Sequence, residues 1–401
     1  MWNWAASLRT KDFRLLWAST AFYSLATGME QVSVGWLIYE LTGSEFMVGV
    51  AAAARMLPFF VLGMLSGAIA DRWSRRTLLR VGTLAASAVA LLMGLMLLQG
   101  FVNVWALIAL VTALGSMLAF TITIRQAFTY DIVGSGLALN GLALAAMAMQ
   151  GGGIIGSLVS GAMIDLVGPG WQFIASAAFY AVSAGATLLI DNEGRSLRAS
   201  SESVLSNLTS YARLVREYPI LLMLMFLTAT TEVLGFTHMT LFPVFAKDVL
   251  HVGPTGLGVM TAGRQAGGLL GLWILAALGT ARKKGLMTLA TALGFGGGLM
   301  AFSLSVNIYT FMAVLLFVNA CAMAVDTLYK TLMQDLVPDE ERGRAMGSWV
   351  LSVGFAPVGH VGIGALAGFV GAPRALLING VALVAINVAA TLGAPRIRRM
   401  E

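Results

Sequence analysis

Cysteine is almost missing from this chain. The single Cys321 excludes an internal disulfide framework and a cysteine-based metal cluster. Histidine is nearly as scarce, and His238, His251 and His360 lie far apart, without the spacing of a metal site or of an H-E-x-x-H protease. No G-x-x-x-x-G-K-[ST] phosphate loop occurs, so ATP is not the direct energy source. No nucleophile elbow stands out either, which leaves an intramembrane enzyme as the least favoured reading. No metal and no cofactor is implied. Charge is the largest deficit: charged residues make up 11% of the chain, where a soluble domain carries roughly a quarter. No polar segment is long enough to bind nucleic acid, so the net charge of +6 matters through its location rather than its sum.

What fills the chain instead is apolar. Hydrophobic residues reach 58% and mean hydropathy is +0.84, the composition of an integral membrane protein. A spanning helix needs about 20 mostly apolar residues. Twelve such segments are predicted: 15–39, 47–70, 77–99, 104–128, 141–166, 171–190, 219–245, 256–280, 285–304, 308–332, 345–369 and 374–393. The breaks "LQGFVN", "VGPGW" and "VGAPR" carry turn residues. The polar stretch 191–218 splits the spans six and six, giving a bundle over 1–190, a cytoplasmic linker over 191–218 and a second bundle over 219–401. The N-terminal segment reads as a cytoplasmic tail rather than a cleavable signal, because Arg9, Lys11 and Arg14 lead into an overlong apolar run. With both termini inside, nineteen of the 25 Lys and Arg fall in cytoplasmic tails and loops, and only Lys247 and Arg374 fall outside. That asymmetry is the positive-inside pattern.

The two halves echo one another. Asp131 in "TYDIVGSGLALNG" and Asp335 in "MQDLVPDEERGRAMG" are 204 residues apart. Gly49-Val50 followed by Arg55 parallels Gly258-Val259 followed by Arg264, at an offset of 209. Parallel halves around a central cavity are one of the known transporter architectures.

"GAIADRWSRR" (67–76) closes one of the most apolar segments of the chain, yet packs four charges into six positions. An orientation signal would account for Arg72, Arg75, Arg76 and Arg80, but not for Asp71 or for Gly63 and Gly67 on one helix face. A glycine, three residues, Asp-Arg, two residues and two basic residues form a pattern matched by Gly67, Asp71, Arg72, Arg75 and Arg76, and here the chain resembles the major facilitator superfamily. In that family the motif latches the halves together on the cytoplasmic side and controls alternating access. The corresponding loop of the second half, "GTARKKG", keeps the bases and lacks the acid. "MEQVSVGWLIYELTGS", "AAARMLPFF", "IRQAFTYDIV" and "LVPDEERGRAMG" are similar to the bacterial exporter branch that includes the enterobactin exporter and macrolide efflux pumps. The helix 5 stretch "GGIIGSLVSG", with Gly152, Gly156 and Gly161, resembles the glycine-rich antiporter motif. It departs from that motif at Ser157, where proline is usual, and at Ser160.

Ionisable residues inside the apolar segments need an explanation, since each costs roughly 2.5–3.5 kcal/mol at the bilayer centre on insertion scales. Glu30 and Glu232 sit midway along helices 1 and 7, with His238 near the second. A carboxyl group shielded from water can take up and release protons near neutrality, so Glu30, Glu232, His238 and Asp326 are the proton-coupling candidates. The bland alternative is that each acid is neutralised by a structural partner such as Arg55 or Arg264. Gln31, Arg55, Arg125, Arg264 and Lys330 are the cavity or ion-pair candidates; Asp326 and Lys330, four apart, can meet on one helix face. His360, after Pro357 and among glycines, reads as a packing residue.

These features predict an all-α membrane protein of twelve helices that exports amphipathic small molecules, of drug or siderophore type, by proton antiport. Import or facilitated diffusion of a small nutrient or lipid is the alternative. The expected partners are a small-molecule substrate, protons and the lipid bilayer, with no nucleic acid. The expected setting is the bacterial cytoplasmic (inner) membrane, with a monomer sufficient.

Overall fold

The computed structural model describes residues 5–70, 73–194, 216–278 and 283–393. Most of them are helical, and no strand occurs among them. In chain order the helices are α1 (Lys11–Thr42), α2 (Glu45–Ala70), α3 (Arg75–Leu98), α4 (Val104–Val133), α5 (Ala138–Val167) and α6 (Pro169–Leu188). From residue 219 onward come α7 (Pro219–Val249), α8 (Gly253–Ala277), α9 (Lys284–Phe302), α10 (Ile308–Asp335), α11 (Arg342–Val370) and α12 (Ala372–Gly393). Among the described residues, α3, α4, α5, α7, α9, α10, α11 and α12 are long and apolar enough to cross a membrane. The chain is a multi-pass membrane protein. Of the other four helices, α1 carries Glu30 and Gln31, α6 Gln172, and α8 Arg264 and Gln265, polar residues that lower the hydropathy of these three.

Helix ends form where the local chemistry calls for them. The Asn103 side chain accepts from the Trp105 and Ala106 amides at 2.9 and 3.2 Å and starts α4; Asn307 does the same for Thr310 at the start of α10. Gly100, Gly168 and Gly371, in the three breaks read from the sequence, take φ of 74°, 86° and 84°, a region that favours glycine.

Cα packing divides the chain into two compact units. The first comprises Met1–Thr42, Ala54–Ser201 and Gly253–Ala262; the second comprises Gly43–Ala53, Glu202–Val252 and Gly263–Glu401. In the first, α1 and α5 approach through glycine: a Cβ on Gly28 would lie 2.5 Å from the Gly153 carbonyl oxygen, and one on Gly152 2.6 Å from that of Ala21. Serines stitch the same seam, with Ser160 Oγ 2.9 Å from both Ser33 Oγ and the Met29 carbonyl. Small residues and interhelical hydroxyl bonds replace the hydrophobic drive that lipid removes. Leu16, Leu78, Leu79, Ile124, Phe128 and Ile190 form an apolar cluster beside it.

The second unit departs from regular helix where the sequence predicted one uninterrupted segment over 219–245. In α7, a regular helix to Thr230 gives way to a π turn at Thr231–Gly235, a 3₁₀ stretch at Phe236–Leu241 and a second π turn at Phe245–Val249. Pro243 withholds one backbone donor, and side chains take up carbonyls that the irregular turns release. Asn379 Nδ2 donates to the Leu234 oxygen at 3.1 Å, and His238 Nδ1 donates to that of Gly235 at 2.8 Å. Helix α11 likewise begins at Arg342 rather than 345 and is interrupted between Val353 and Ala356, just ahead of Pro357.

Candidate functional site

Helix α1 carries Glu30 into the interior of the first unit, where the residue is 1% exposed. Arg55 on α2 places Nη2 3.6 Å from Glu30 Oε2, and Tyr180 on α6 lies beside the same carboxylate. Glu30 Oε1 is buried without a hydrogen-bond partner among the described residues. The position of Arg55 is fixed by backbone contact: a Cβ on Gly115 of α4 would overlap the Arg55 carbonyl oxygen. The result is a buried carboxylate with a counter-charge held at 3.6 Å rather than in direct contact. Gln31 follows on the same helix and is half-buried.

Arg125 on α4 is 4% exposed and meets hydroxyls rather than an acid. Its Nη1 donates to Ser19 Oγ at 3.0 Å and Thr20 Oγ1 at 3.2 Å, and Nη2 to Thr83 Oγ1 at 3.4 Å and Ser183 Oγ at 3.2 Å. The guanidinium carbon lies 4.5 Å over the Tyr23 ring, whose plane tilts against Tyr180 at a centroid distance of 5.2 Å. Neutral acceptors and a π face spread the charge without cancelling it. Tyr23 and Tyr180 therefore stand between this guanidinium and the Glu30 carboxylate.

In the second unit, Asp326 and Lys330 of α10 pair at 2.7 Å, and Trp349 of α11 donates through Nε1 to the other Asp326 oxygen at 2.9 Å. Lys330 Nζ also lies 3.9 Å over the Trp349 ring. Glu232, 8% exposed on the first π turn of α7, feels the charges of Asp326 and Lys330. Its carboxylate has no hydrogen bond or ion pair among the described residues. His238 lies elsewhere in this unit, boxed by Phe242, Phe295 and Phe302 at ring centroid distances of 5.5, 5.9 and 6.0 Å. His360 Nδ1 is 2.6 Å from Thr240 Oγ1. Arg264 is half-buried on α8.

Of the inner-loop residues, Asp71 and Arg72 lie outside the described residues, and Gly67 is in the last turn of α2. Arg75 Nη1 is 2.6 Å from Asp131 Oδ1 and donates to the Ala127 carbonyl at 3.1 Å. Arg76 Nη1 donates to the carbonyls of Ile190 and Asp191 at 2.7 and 3.3 Å, and Arg80 Nη2 to that of Thr187 at 3.4 Å. Cations placed on the Thr187 carbonyl of α6 and on those just past its end complement the negative end of its dipole. Gly156 of α5 presses against Leu25 of α1, while Gly161 faces Pro254 and Gly258 of α8 within the same unit.

Tyr180, Tyr23 and Trp349 complete these clusters and were not singled out by the sequence. Tyr180 carried a signal, being the sole ionisable side chain of α6. Trp349, partly buried along α11 instead of at a helix end, carried a weaker one.

The comparisons agree with this fold. The chain is 20% identical over 379 residues to the staphyloferrin A transporter of Staphylococcus aureus (strain NCTC 8325 / PS 47), covering 94% of each chain. The structure matches that of the nucleoside transporter NupG with a TM-score of 0.75 at 15% identity, over 95% of this chain and 98% of that one. It matches the peptide transporter POT in complex with sulfate with a TM-score of 0.74 at 12% identity, over 97% and 95%. Likeness at such identities establishes the fold, and these relatives are transporters rather than enzymes. With residues 3–401 matched by the family described as transmembrane secretion effector, the chain belongs to that family, within the major facilitator superfamily of membrane transporters.

Proposed function

We propose that this protein is a secondary active transporter that exports amphipathic small molecules, of drug or siderophore type, by proton antiport. Twelve transmembrane helices in two bundles, 1–190 and 219–401, joined by the linker 191–218, would alternate access to a central cavity. Both termini would be cytoplasmic, in the bacterial inner membrane. The distribution of Lys and Arg supports this orientation, and the staphyloferrin A transporter supports a small-molecule substrate. The gating role falls to Gly67, Asp71, Arg72, Arg75 and Arg76, with Asp131 bound to Arg75.

The observation that carries the reading is Glu30: a buried carboxylate on α1, with Arg55 3.6 Å away and one oxygen without a hydrogen-bond partner among the described residues. An acid fully neutralised by structure would have both oxygens engaged. Protonation of Glu30 releases Arg55 and removes a buried charge, which gives the empty and loaded carriers different electrostatics. Glu232 is the second candidate for this role, in the equivalent helix of the other half.

Reconstituted protein separates coupling from carriage. Under an imposed proton gradient, Glu30→Gln should lose uphill accumulation of substrate while still exchanging labelled for unlabelled substrate across the membrane. Uphill accumulation that survives in both Glu30→Gln and Glu232→Gln would remove these acids from the mechanism.

A further inference from the structure

The Asp326–Lys330–Trp349 cluster holds a cation in a geometry suited to recognition. A carboxylate oxygen 2.7 Å from the ammonium and an indole face 3.9 Å below it are the two elements of an aromatic ammonium cage. The second Asp326 oxygen is occupied by the Trp349 Nε1–H at 2.9 Å, which locks carboxylate and ring in one orientation whatever cation lies between them. The side chain of Lys330 is 31% exposed while that of Asp326 is 10% exposed, so the lysine stem has somewhere to go when displaced. A helix-surface ion pair needs neither the ring nor the bracing bond.

Charge counting points the same way. Asp326 and Lys330 cancel, and Glu232, more than nine-tenths buried and without an ion-pair partner among the described residues, leaves one negative charge over when ionised. Among the described residues, Asp326 and Lys330 lie near enough for their charges to act on Glu232. A second cation entering beside Asp326 and Trp349 would balance Glu232, and a proton on Glu232 would remove the vacancy.

We propose that Asp326, Trp349 and Glu232 form a binding cage for the cationic head of an amphipathic substrate, and that Lys330 is a tethered surrogate occupying it in this state. The inference rests on the transport reading above and adds to it a substrate class, organic cations with an apolar body. Lys330 then acts as a competitor: it keeps the cage ordered when empty and is pushed aside by substrate. Glu232 supplies the charge that makes exchange of substrate for a proton neutral within the cluster.

Equilibrium binding of tritiated tetraphenylphosphonium to the purified full-length protein tests this, with tetraphenylborate as the shape-matched anion. Lys330→Met should bind the phosphonium about tenfold more tightly than wild type, Trp349→Leu about tenfold more weakly, and Glu232→Gln more weakly as well, in line with the strength of desolvated cation–π contacts. Lys330→Arg should show none of the gain. A purely structural pair predicts the reverse for Lys330→Met, namely unchanged or weaker binding in a destabilised protein. That result in monodisperse protein would overturn the cage, as would equal displacement by the anion. Should Lys330→Met fail to fold, unchanged affinity in both Trp349→Leu and Glu232→Gln overturns it instead. Proton-coupled export of neutral or anionic compounds with no phosphonium binding would sink the cage and leave the transport reading standing. Phosphonium binding that follows the predicted order, with no compound transported, would do the opposite.

Discussion

Arg75 Nη1 lies 2.6 Å from Asp131 Oδ1, joining the first turn of α3 to the last turn of α4. At the corresponding places of the second half, Lys284 Nζ lies 2.7 Å from Asp335 Oδ2, joining the start of α9 to the end of α10. The internal repeat therefore extends beyond sequence to a brace made twice, with Arg in one copy and Lys in the other. Arg75 also reaches the Ala127 carbonyl at 3.1 Å, a second bond that suits a fork-shaped cation.

The two braces should differ in strength. The Arg75 and Asp131 side chains are 14% and 23% exposed, those of Lys284 and Asp335 34% and 35%. Asp131→Asn should cost roughly 1–2 kcal/mol and Asp335→Asn less than about 0.5 kcal/mol, since solvent screens the second pair. Thermal denaturation in detergent checks the order, and the swap Arg75→Asp with Asp131→Arg should recover part of the loss.

Arg125 should resist replacement by lysine. Its guanidinium reaches four hydroxyls on α1, α3 and α6 at once, a span that a single ammonium does not match. Arg125→Lys should lower stability by about 1–3 kcal/mol, because buried hydroxyls lose their donor. Ser183→Ala should cost about 1 kcal/mol. Comparable melting curves for Arg125→Lys and wild type would contradict this account of the cluster.

The α1–α5 seam predicts a graded glycine series. A methyl on Gly156 would overlap the Leu25 carbonyl, whereas one on Gly185 of α6 meets nothing within 4 Å among the described residues. Gly156→Ala should therefore destabilise by about 1–3 kcal/mol, and Gly185→Ala should stabilise by about 0.5–1 kcal/mol through helix propensity. Opposite signs in one thermal-shift experiment are the expected outcome.

Gly115 offers a way to disturb Glu30 without touching it. Because Gly115 of α4 abuts the Arg55 backbone, Gly115→Ala should push α2 outward and lengthen the 3.6 Å Arg55–Glu30 contact. Proton-coupled accumulation should fall while passive substrate exchange persists, and Gly136→Ala, at an open position, serves as the control.

Much of this was legible in the sequence because membrane segments are written in composition. The breaks at Gly100, Gly168 and Gly371 were marked by their residues, and each carries the positive φ that only glycine takes readily. The recurrence of Asp131 at Asp335 foretold equivalent places, though not that basic residues at the starts of α3 and α9 would bind them. Other features stayed hidden for physical reasons. Arg125 is held by Ser19, Thr20, Thr83 and Ser183, which are scattered over three other helices and carry no spacing that a periodicity can detect. The irregular turns of α7 depend on rescue from α12 by Asn379, more than a hundred residues away. Tyr180 and Trp349 read as ordinary membrane aromatics until the fold set them beside Glu30 and Asp326.

The central claim is that substrate export is exchanged for protons through a buried carboxylate, and proton release from acid-loaded everted vesicles tests it most directly. Lipophilic cations, macrolides and catecholate siderophores would be added in turn to vesicles containing wild type, Glu30→Gln or Glu232→Gln. The account predicts substrate-dependent alkalinisation of the lumen by wild type, lost in at least one of the two variants. Labelled substrate that equilibrates across the membrane while no compound moves protons would contradict antiport and leave Glu30 and Glu232 as structural acids in a uniporter or importer.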